Sequence, residues 1–487
     1  MIYRILSFIL ALFILNGCVK YVMVPAEDEQ QNRDQFVIDY AIKKEQIAKK
    51  FQDISFDDRN EIKIALMLPL SGKSKKIGNE ILNATILALF DNRDPRIALK
   101  TFDTEGSELK TIEATQEIIK EGYQIVIGPV FSNNVAAMEA LIKDKDIFVF
   151  TFSNDITVAK ENVFLLGIDF RQQIQRLINY TASNEYKYYI SLLPANDFGS
   201  SAIAELRRSV ENKGGVVLKS EFYTQGVRLS RNVKRLVVVA NESPTDSQGR
   251  ALFLTEDELL AYEKSKVDKI EANKLMEIAG GEGDLMEVAG GEGDLMEITE
   301  DNLSLDILID DDYAPRPMSE FKLVLFIPDG GKVLEDAVAL LEEYNFPKDR
   351  VKITGISNWY QSNALKSRTL YDAWFVDIPH DNLKLYEEHY YNNFNQKPTR
   401  ISAYAYDAVA VITSLLAYRD DIDNLQDLTI TQDIGFNGIN GVFKFRPDGI
   451  SERLLSVYSV KNNNLEQLDS EYSFLDNKEI LEEINLD

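Results

Sequence analysis

Short apolar runs alternate along this chain with stretches that repeat apolar residues at helical spacing. The first run is Ile62–Leu68, and a helical stretch follows it at 78–89. Further apolar runs occupy 97–102, 124–127 and 147–152, with helical patterns between them. Because strands that alternate with helices form parallel sheets covered by those helices, this pattern predicts a doubly wound α/β fold.

The alternation restarts at Tyr188, which predicts a second α/β unit. Strands are predicted at 188–193, 216–222, 235–240, 322–327, 351–354 and 373–378, and the late runs 441–445 and 454–460 are interpreted as a hairpin or strand pair. Two such units predict two lobes joined by a hinge. Ligands of open α/β sheets bind beyond the carboxyl ends of the strands, so a cleft between the lobes is the expected site. The predicted division is a first lobe at 61–166 and 379–440, a second lobe at 167–378, and C-terminal strands with a tail at 441–487.

The N-terminal residues have the layout of a bacterial lipoprotein signal. Residues 1–17 contain Arg4, an apolar stretch too short to span a bilayer, and a small residue before Cys18, the single cysteine of the chain. This ending resembles a lipoprotein box, in which the cysteine thiol is lipidated; the alternative is a chance cysteine near an uncleaved anchor. Val19 follows, which under the lipoprotein sorting rule implies the outer membrane, facing the periplasm. Residues 18–60 are interpreted as a polar tether.

The charge balance excludes one class of partner. Lys plus Arg number 53 and Asp plus Glu number 79, which gives a net charge of −26. Such a chain repels the phosphate backbone over most of its surface, so nucleic-acid binding is not expected.

Much of this negative charge lies in an insertion at about 241–320, within the second lobe. It contains a ten-residue repeat, Leu275–Asp284 followed by Leu285–Asp294. A calcium site is one interpretation, because Gly-Gly-x-Gly followed by Asp is similar to calcium-binding roll repeats. However, two units are too few to stack into a stable roll. The favoured interpretation is a mobile surface insertion without a metal.

Motifs for catalysis and for cofactors are missing from the sequence. The segment Leu70–Ser74 resembles a phosphate-binding loop, but Met67 stands where that loop requires glycine. The two histidines, His380 and His389, lie in no triad context. His380 is interpreted as a hinge or surface residue and His389 as part of a helix face. We therefore expect neither an enzyme nor a bound cofactor.

Several motifs resemble known binding proteins. The segments Leu66–Gly72, Ile127–Ser132, Asn196–Gly199 and Ala403–Ala408 are similar to those of the type 1 periplasmic binding proteins. The segment Gly435–Gly449, with Glu452 and Arg453 after it, more specifically resembles the penicillin-binding protein activator lipoproteins. The resemblance covers roughly residues 62–460. Larger activators carry an N-terminal helical-repeat domain, where this chain has the short tether.

The resemblance implies a set of ligand-binding positions. In the similar binding proteins, first-lobe loops bind a ligand carboxylate, while the second lobe supplies an aromatic wall and an acid for the ligand ammonium group. The matching positions here are Ser71, Ser132, Ser153, Asn154, Phe198 and Asp329. The alternative is that Ser132 and Ser153 only cap the helices that follow them.

The resemblance leaves two functions open. One is an outer-membrane lipoprotein that activates a peptidoglycan synthase, with a penicillin-binding protein as its partner. The other is a lipid-anchored receptor that delivers a branched-chain amino acid or an amide to an ABC importer. Cys18, Val19 and the 435–453 segment favour the regulator, whereas Ser132 and Ser153 keep the receptor open.

Overall fold

A computed structural model describes residues 61–92, 94–224, 229–279, 314–416, 436–462 and 464–471. The predicted signal peptide and tether, with Cys18 and Val19, lie outside these residues, as does most of the acidic repeat. The chain divides into two compact units. The first runs to Leu177 and resumes at Val376–Tyr458 and from Glu466; the second is Ile178–Phe375 with Ser459–Leu465.

The strands and helices follow one another in the alternation that the sequence predicts. The strands are β1 (Ile62–Leu68), β2 (Ile97–Asp103), β3 (Ile125–Ile127), β4 (Phe148–Thr151), β5 (Val163–Leu165), β6 (Tyr188–Pro194), β7 (Val216–Tyr223), β8 (Phe253–Leu254), β9 (Arg316–Pro317), β10 (Leu323–Phe326), β11 (Val351–Gly355), β12 (Trp374–Asp377), β13 (Phe436–Gly438), β14 (Gly441–Phe445), β15 (Ser451–Arg453), β16 (Leu455–Lys461) and β17 (Asn464–Glu471). The helices are α1 (Lys75–Asn92), α2 (Glu108–Glu121), α3 (Ser132–Ile142), α4 (Phe170–Ser183), α5 (Asp197–Asn212), α6 (Leu229–Asn241), α7 (Glu256–Ala279), α8 (Gly331–Glu343), α9 (Asp381–Phe394) and α10 (Arg400–Leu416).

Two sheets form the cores of the fold. The first has the strand order β2-β1-β3-β4-β5, and every adjacent pair in it is parallel. The second has the order β17-β16-β12-β11-β10-β6-β7, in which the pairs from β12 to β7 are parallel. The residues of β1 are almost all buried, as expected of a strand covered on both faces. The predicted doubly wound α/β class is confirmed.

One predicted strand is wrong. The run at 235–240 belongs to the helix α6, not to a strand. Its β-branched residues favour an extended chain, but Val233, Leu236, Val237 and Ala240 are buried at helical spacing, while the residues between them are polar or partly exposed. Packing of this single apolar face outweighs the local preference for a strand.

The late strands do not pair with each other, so the predicted hairpin of 441–445 with 454–460 is wrong. Strand β14 lies in a separate three-stranded antiparallel sheet with β13 and β15, whereas β16 lies in the seven-stranded sheet. A tight turn explains the difference: Arg446 N donates to Ile450 O at 2.9 Å, and Gly449 takes a positive φ of 83°. After this turn the chain enters β15, which pairs with β14 before the 454–460 run begins.

Two short strands of the insertion in the second lobe, β8 and β9, form a stem that packs beside the second sheet. Strands β8 and β9 pair in parallel, and the buried rings of Phe253 and Phe321 lie 5.7 and 5.4 Å from the ring of Tyr188 on β6. Between these two strands the chain forms α7, a helix that the sequence analysis did not predict. Among the described residues, no helix combines the length and apolarity that crossing a bilayer requires.

Candidate functional site

The three predicted serines of the first unit lie at one edge of its sheet. Ser71, Ser132 and Ser153 follow β1, β3 and β4, which are adjacent strands. Parallel neighbours end at the same edge, so the loops that carry these hydroxyls lie side by side. The structure therefore places the three loops at one edge of the first sheet, and their role as a ligand site stays a prediction.

Ser71 is already bonded to a carboxylate of its own chain. Asp103 Oδ1, at the end of β2, accepts hydrogen bonds from the N–H groups of Leu70 at 2.9 Å, Ser71 at 3.2 Å and Glu105 at 2.9 Å. Burial alone would raise the pKa of Asp103, but the Ser71 hydroxyl and these N–H groups lower it below its usual value. A ligand carboxylate beside Ser71 would meet this negative charge, which disfavours it.

Ser153 is buried and supports the loop after β4. Its hydroxyl accepts from Asp155 N at 3.1 Å, and its own N–H donates to Thr151 Oγ1 at 3.2 Å. The cap of the short 3₁₀ helix that follows is Asp155, which accepts from Thr157 N. The alternative that Ser153 caps the helix is therefore wrong, and Asn154 beside it is exposed.

Ser132 lies within the first turn of α3 and is half-buried. The N-cap position is Phe131, which offers no side-chain acceptor, so the capping alternative for Ser132 is also wrong. The first N–H groups of a helix favour an anion when no side chain satisfies them. Ser132 is the predicted position of the first unit that best suits an anionic ligand group.

The two predicted residues of the second unit follow its central strands. Phe198 is the second residue of α5, which follows β6, and Asp329 follows β10, the neighbour of β6. The Asp329 carboxylate accepts a hydrogen bond from the hydroxyl of Tyr223, the last residue of β7. Burial raises the pKa of Asp329, and burial together with the nearby carboxylate raises the pKa of Tyr223. Tyr223 was not among the predicted residues, because its only signal in the sequence is its place at the end of a strand.

Two of the motifs that carried the resemblance have structural roles. Asn196 caps α5, with its Oδ1 accepting from Gly199 N at 3.0 Å. A Cβ atom on Gly199 would lie 1.8 Å from Pro194 O, and one on Gly78 would lie 2.1 Å from Pro69 O. Only glycine permits α1 and α5 to approach the ends of β1 and β6 so closely, which fixes the loops after both strands.

The C-terminal signature surrounds a buried carboxylate in the first unit. Asp407, on α10, is fully buried and accepts from Asn440 N at 3.2 Å and Asn440 Nδ2 at 3.0 Å, in the turn between β13 and β14. Gly438 is required beside it, because a Cβ there would lie 2.5 Å from Asp407 Oδ1. Burial raises the pKa of Asp407 above its usual value, with Arg453 opposing the shift.

Arg453 completes this cluster. Its guanidinium is buried, lies 3.9 Å from Asp407 Oδ2, and covers the ring of Phe443 at 4.2 Å. It donates to Asn440 O at 3.2 Å and Leu166 O at 2.6 Å, which ties β15 to the loop after β5. The segment that resembles the activators is thus an internal brace of the first unit.

A second buried polar cluster contains His380. The interpretation of His380 as a surface residue is wrong, because only 3% of it is exposed. His380 Nε2 lies 2.8 Å from Asp377 Oδ2, and the His380 ring stacks on Tyr458 at 4.1 Å. Burial disfavours the charged form of Asp377, but Arg400 and His380 outweigh burial and lower the pKa of Asp377. Both Asp377 and Tyr458 lie where the chain passes from one unit to the other.

His389 lies on α9, as the interpretation as part of a helix face expects, and its side chain faces solvent. His389 Nε2 is 3.1 Å from Asp91 Oδ2, and 46% of the His389 side chain is exposed. In the part of the chain that the structure describes, no three His, Cys, Asp or Glu side chains are grouped to hold a metal ion. Most of the repeat considered for calcium, residues 280–298, lies outside that part.

Comparison with known sequences supports the predicted resemblance. Residues 61–242 match the family model described as periplasmic binding protein. An uncharacterised protein of Rickettsia prowazekii is 24% identical over 204 residues, covering 41% of this chain and 54% of that protein. The penicillin-binding protein activator LpoA of Vibrio vulnificus is 22% identical over 217 residues, covering 42% of this chain and 35% of that protein. The matches thus span about half, or less, of these relatives.

Comparison with solved structures shows the fold. A branched-chain amino acid ABC transporter periplasmic ligand-binding protein of Burkholderia xenovorans has a TM-score of 0.58 at 13% identity, covering 84% of this chain and 95% of that one. Full-length LpoA of Haemophilus influenzae has a TM-score of 0.55 at 13% identity, covering 84% of this chain and 59% of that one. The chain therefore has the fold of the type 1 periplasmic binding proteins and, within them, resembles the penicillin-binding protein activators.

Proposed function

We propose that this chain is a lipoprotein of the outer membrane that faces the periplasm and regulates a peptidoglycan synthase by binding a penicillin-binding protein. The observation that carries the proposal is that groups which a solute receptor would offer to its ligand are bonded within the chain. Asp329 is bonded to Tyr223, and Ser71 is bonded to Asp103. The similarity to LpoA of two genera supports the same function.

The bonding of Asp329 matters because an amino-acid receptor needs a charged acid for the ligand ammonium group. Burial raises the pKa of Asp329, which disfavours the charged form. A ligand would also displace the Tyr223 hydroxyl or share the carboxylate with it, and a buried polar group that loses its partner costs about 1–3 kcal/mol. A protein that acts through its outer surface has no such requirement.

The receptor of an ABC importer remains the second candidate, and one observation favours it. The half-buried Ser132 hydroxyl lies at the start of α3, where no side chain caps the helix. A ligand carboxylate there would be stabilised by the helix N–H groups. The solved structures with this fold include a branched-chain amino acid binding protein, which gives the ligand class to test.

Calorimetry with leucine, isoleucine, valine and their amides distinguishes the two functions. We expect no micromolar binding by the wild-type chain and no change in Ser132→Ala or Asp329→Ala. If the chain is a receptor, either substitution should weaken binding by about 5- to 150-fold, the equivalent of roughly 1–3 kcal/mol. Ser183→Ala, an exposed change at the end of α4, is the matched control. Micromolar binding of one amino acid that Ser132→Ala abolishes would overturn the regulator and favour the importer.

A further inference from the structure

A group of aromatic side chains lies at the amino edge of the second sheet, opposite the edge that carries Asp329. Trp374 is the first residue of β12, and its ring centre lies 5.0 Å from that of Tyr180 and 5.8 Å from that of Tyr186. These three side chains are half-buried. Tyr371, three residues before Trp374, is 49% exposed. The four rings form what we call the aromatic face of the second unit.

Lysines lie against the rings of the aromatic face. The Nζ atom of Lys352, on β11, lies 4.4 Å from the ring centre of Trp374. The Nζ atom of Lys322 lies 5.9 Å from the ring centre of Tyr186, and that of Lys461 lies 5.4 Å from the ring centre of Tyr371. A ring face attracts an ammonium group, so the aromatic face and the three cations form one surface.

Two of the three lysines are paired with acids, and the third is not. Glu185 Oε2 lies 3.0 Å from Lys322 Nζ, and the Asp372 carboxylate pairs with Lys461. Lys352 Nζ instead donates to the backbone carbonyl of Asp372 at 3.0 Å. In the part of the chain that the structure describes, this carbonyl is its one hydrogen-bond acceptor. Two of the three donors of its ammonium group are therefore available to a ligand.

The surroundings of Lys352 favour an anionic ligand group. Burial lowers the pKa of Lys352, and the nearby charge of Asp372 opposes the shift. A cation that has lost part of its hydration is stabilised when an anion accepts hydrogen bonds from it. An apolar side chain at this position would avoid the loss of hydration altogether. The presence of a lysine here therefore indicates a role in binding.

We propose that the aromatic face binds peptidoglycan, through a sugar ring and a carboxylate. The C–H face of a sugar ring is apolar and packs on an aromatic ring, and Trp374 and Tyr371 supply such rings. The Lys352 ammonium group donates to the carboxylate, and the exposed acids Glu185 and Asp372 accept from sugar hydroxyls. A membrane surface suits this face less, because three of its four rings are half-buried. The identity of the glycan rests on the proposed function, and the site adds a contact with the product of the synthase.

Sedimentation with purified peptidoglycan sacculi tests the site. The full-length chain in mild detergent should sediment with the sacculi, and Lys352→Met should bind roughly tenfold more weakly, because charge-assisted hydrogen bonds are lost. Lys332→Met is the matched control, since Lys332 is an exposed lysine of α8 at the opposite edge of the sheet. It should change the affinity less than about twofold. Because Met removes a partly dehydrated charge, the urea midpoint of Lys352→Met should equal or exceed that of the wild-type chain.

A change to the glycan tests the same contact without altering the protein. Sacculi whose carboxylates have been converted to amides should bind the wild-type chain roughly tenfold more weakly. Equal binding of native and amidated sacculi would overturn the proposal, as would the absence of binding to native sacculi. Competition by phosphatidylglycerol added to the detergent would also overturn it, because that result indicates a lipid surface. These measurements contain no synthase, so their failure is distinguishable from a failure of the proposed function.

Discussion

Replacing Arg453 by Met is expected to lower the free energy of unfolding by about 3–5 kcal/mol, the usual loss when one partner of a buried ion pair is removed. Asp407 would then remain buried without its cation, and the carbonyls of Asn440 and Leu166 would lose their donor. Met retains much of the apolar stem of Arg453, so the loss reflects charge and hydrogen bonding more than volume. Urea denaturation followed by tryptophan fluorescence and circular dichroism measures the change.

Arg446→Met is the matched control for this experiment, because Arg446 lies in the turn that precedes Arg453. Its partner is Asp448, and both side chains are nearly half exposed. An exposed pair of this kind contributes about 0–1 kcal/mol. Equal and small losses in Arg453→Met and Arg446→Met would contradict the description of Arg453 as an internal brace. A double variant with Asp407→Asn should recover part of the loss, since the buried charge is then removed.

Cys18→Ser is expected to abolish lipid labelling and to leave the chain either uncleaved or soluble. The lipid chains contribute about 0.8 kcal/mol per buried CH₂ group, so they supply most of the membrane affinity that we predict. Incorporation of radioactive palmitate, followed by membrane fractionation, measures both effects. Cys18 is the single cysteine of the chain, so the label has no second thiol to modify.

Val19→Asp separates lipidation from sorting. Under the lipoprotein sorting rule that the signal implies, this variant should still incorporate palmitate but should move to the inner membrane. If Cys18→Ser leaves palmitate labelling and membrane retention unchanged, the lipid anchor is excluded.

Long apolar runs made the fold predictable from sequence. The bounds of β1 were predicted to the residue, because a strand buried on both faces is apolar throughout. Two of the shortest strands, β5 and β15, were not predicted, and each has three residues. The run at 235–240 was predicted as a strand from its β-branched residues, and only its pattern of burial identifies it as part of a helix. The helix α7 was missed because its apolar residues are sparse, although Thr255 and Glu258 already have the spacing of a capping box.

The places of the predicted residues at strand ends could be predicted from the sequence, but their hydrogen-bond partners could not. The resemblance identified Ser71 and Asp329, and both lie at strand ends as implied. Their partners could not be identified, because Tyr223 is 106 residues from Asp329 along the chain and Asp103 belongs to the neighbouring strand. Both pairs depend on strand order, because β2 is the neighbour of β1 and a single strand, β6, separates β7 from β10, and the sequence pattern does not specify that order.

Co-purification from detergent-solubilised membranes tests the proposed function most directly. The chain is expressed with an affinity tag, and the proteins that co-purify with it are identified by mass spectrometry. A tagged unrelated lipoprotein is the control. We expect a bifunctional peptidoglycan synthase to be enriched with the wild-type chain and equally with Ser132→Ala and Asp329→Ala. Enrichment of an ABC importer permease in place of the synthase would contradict the account.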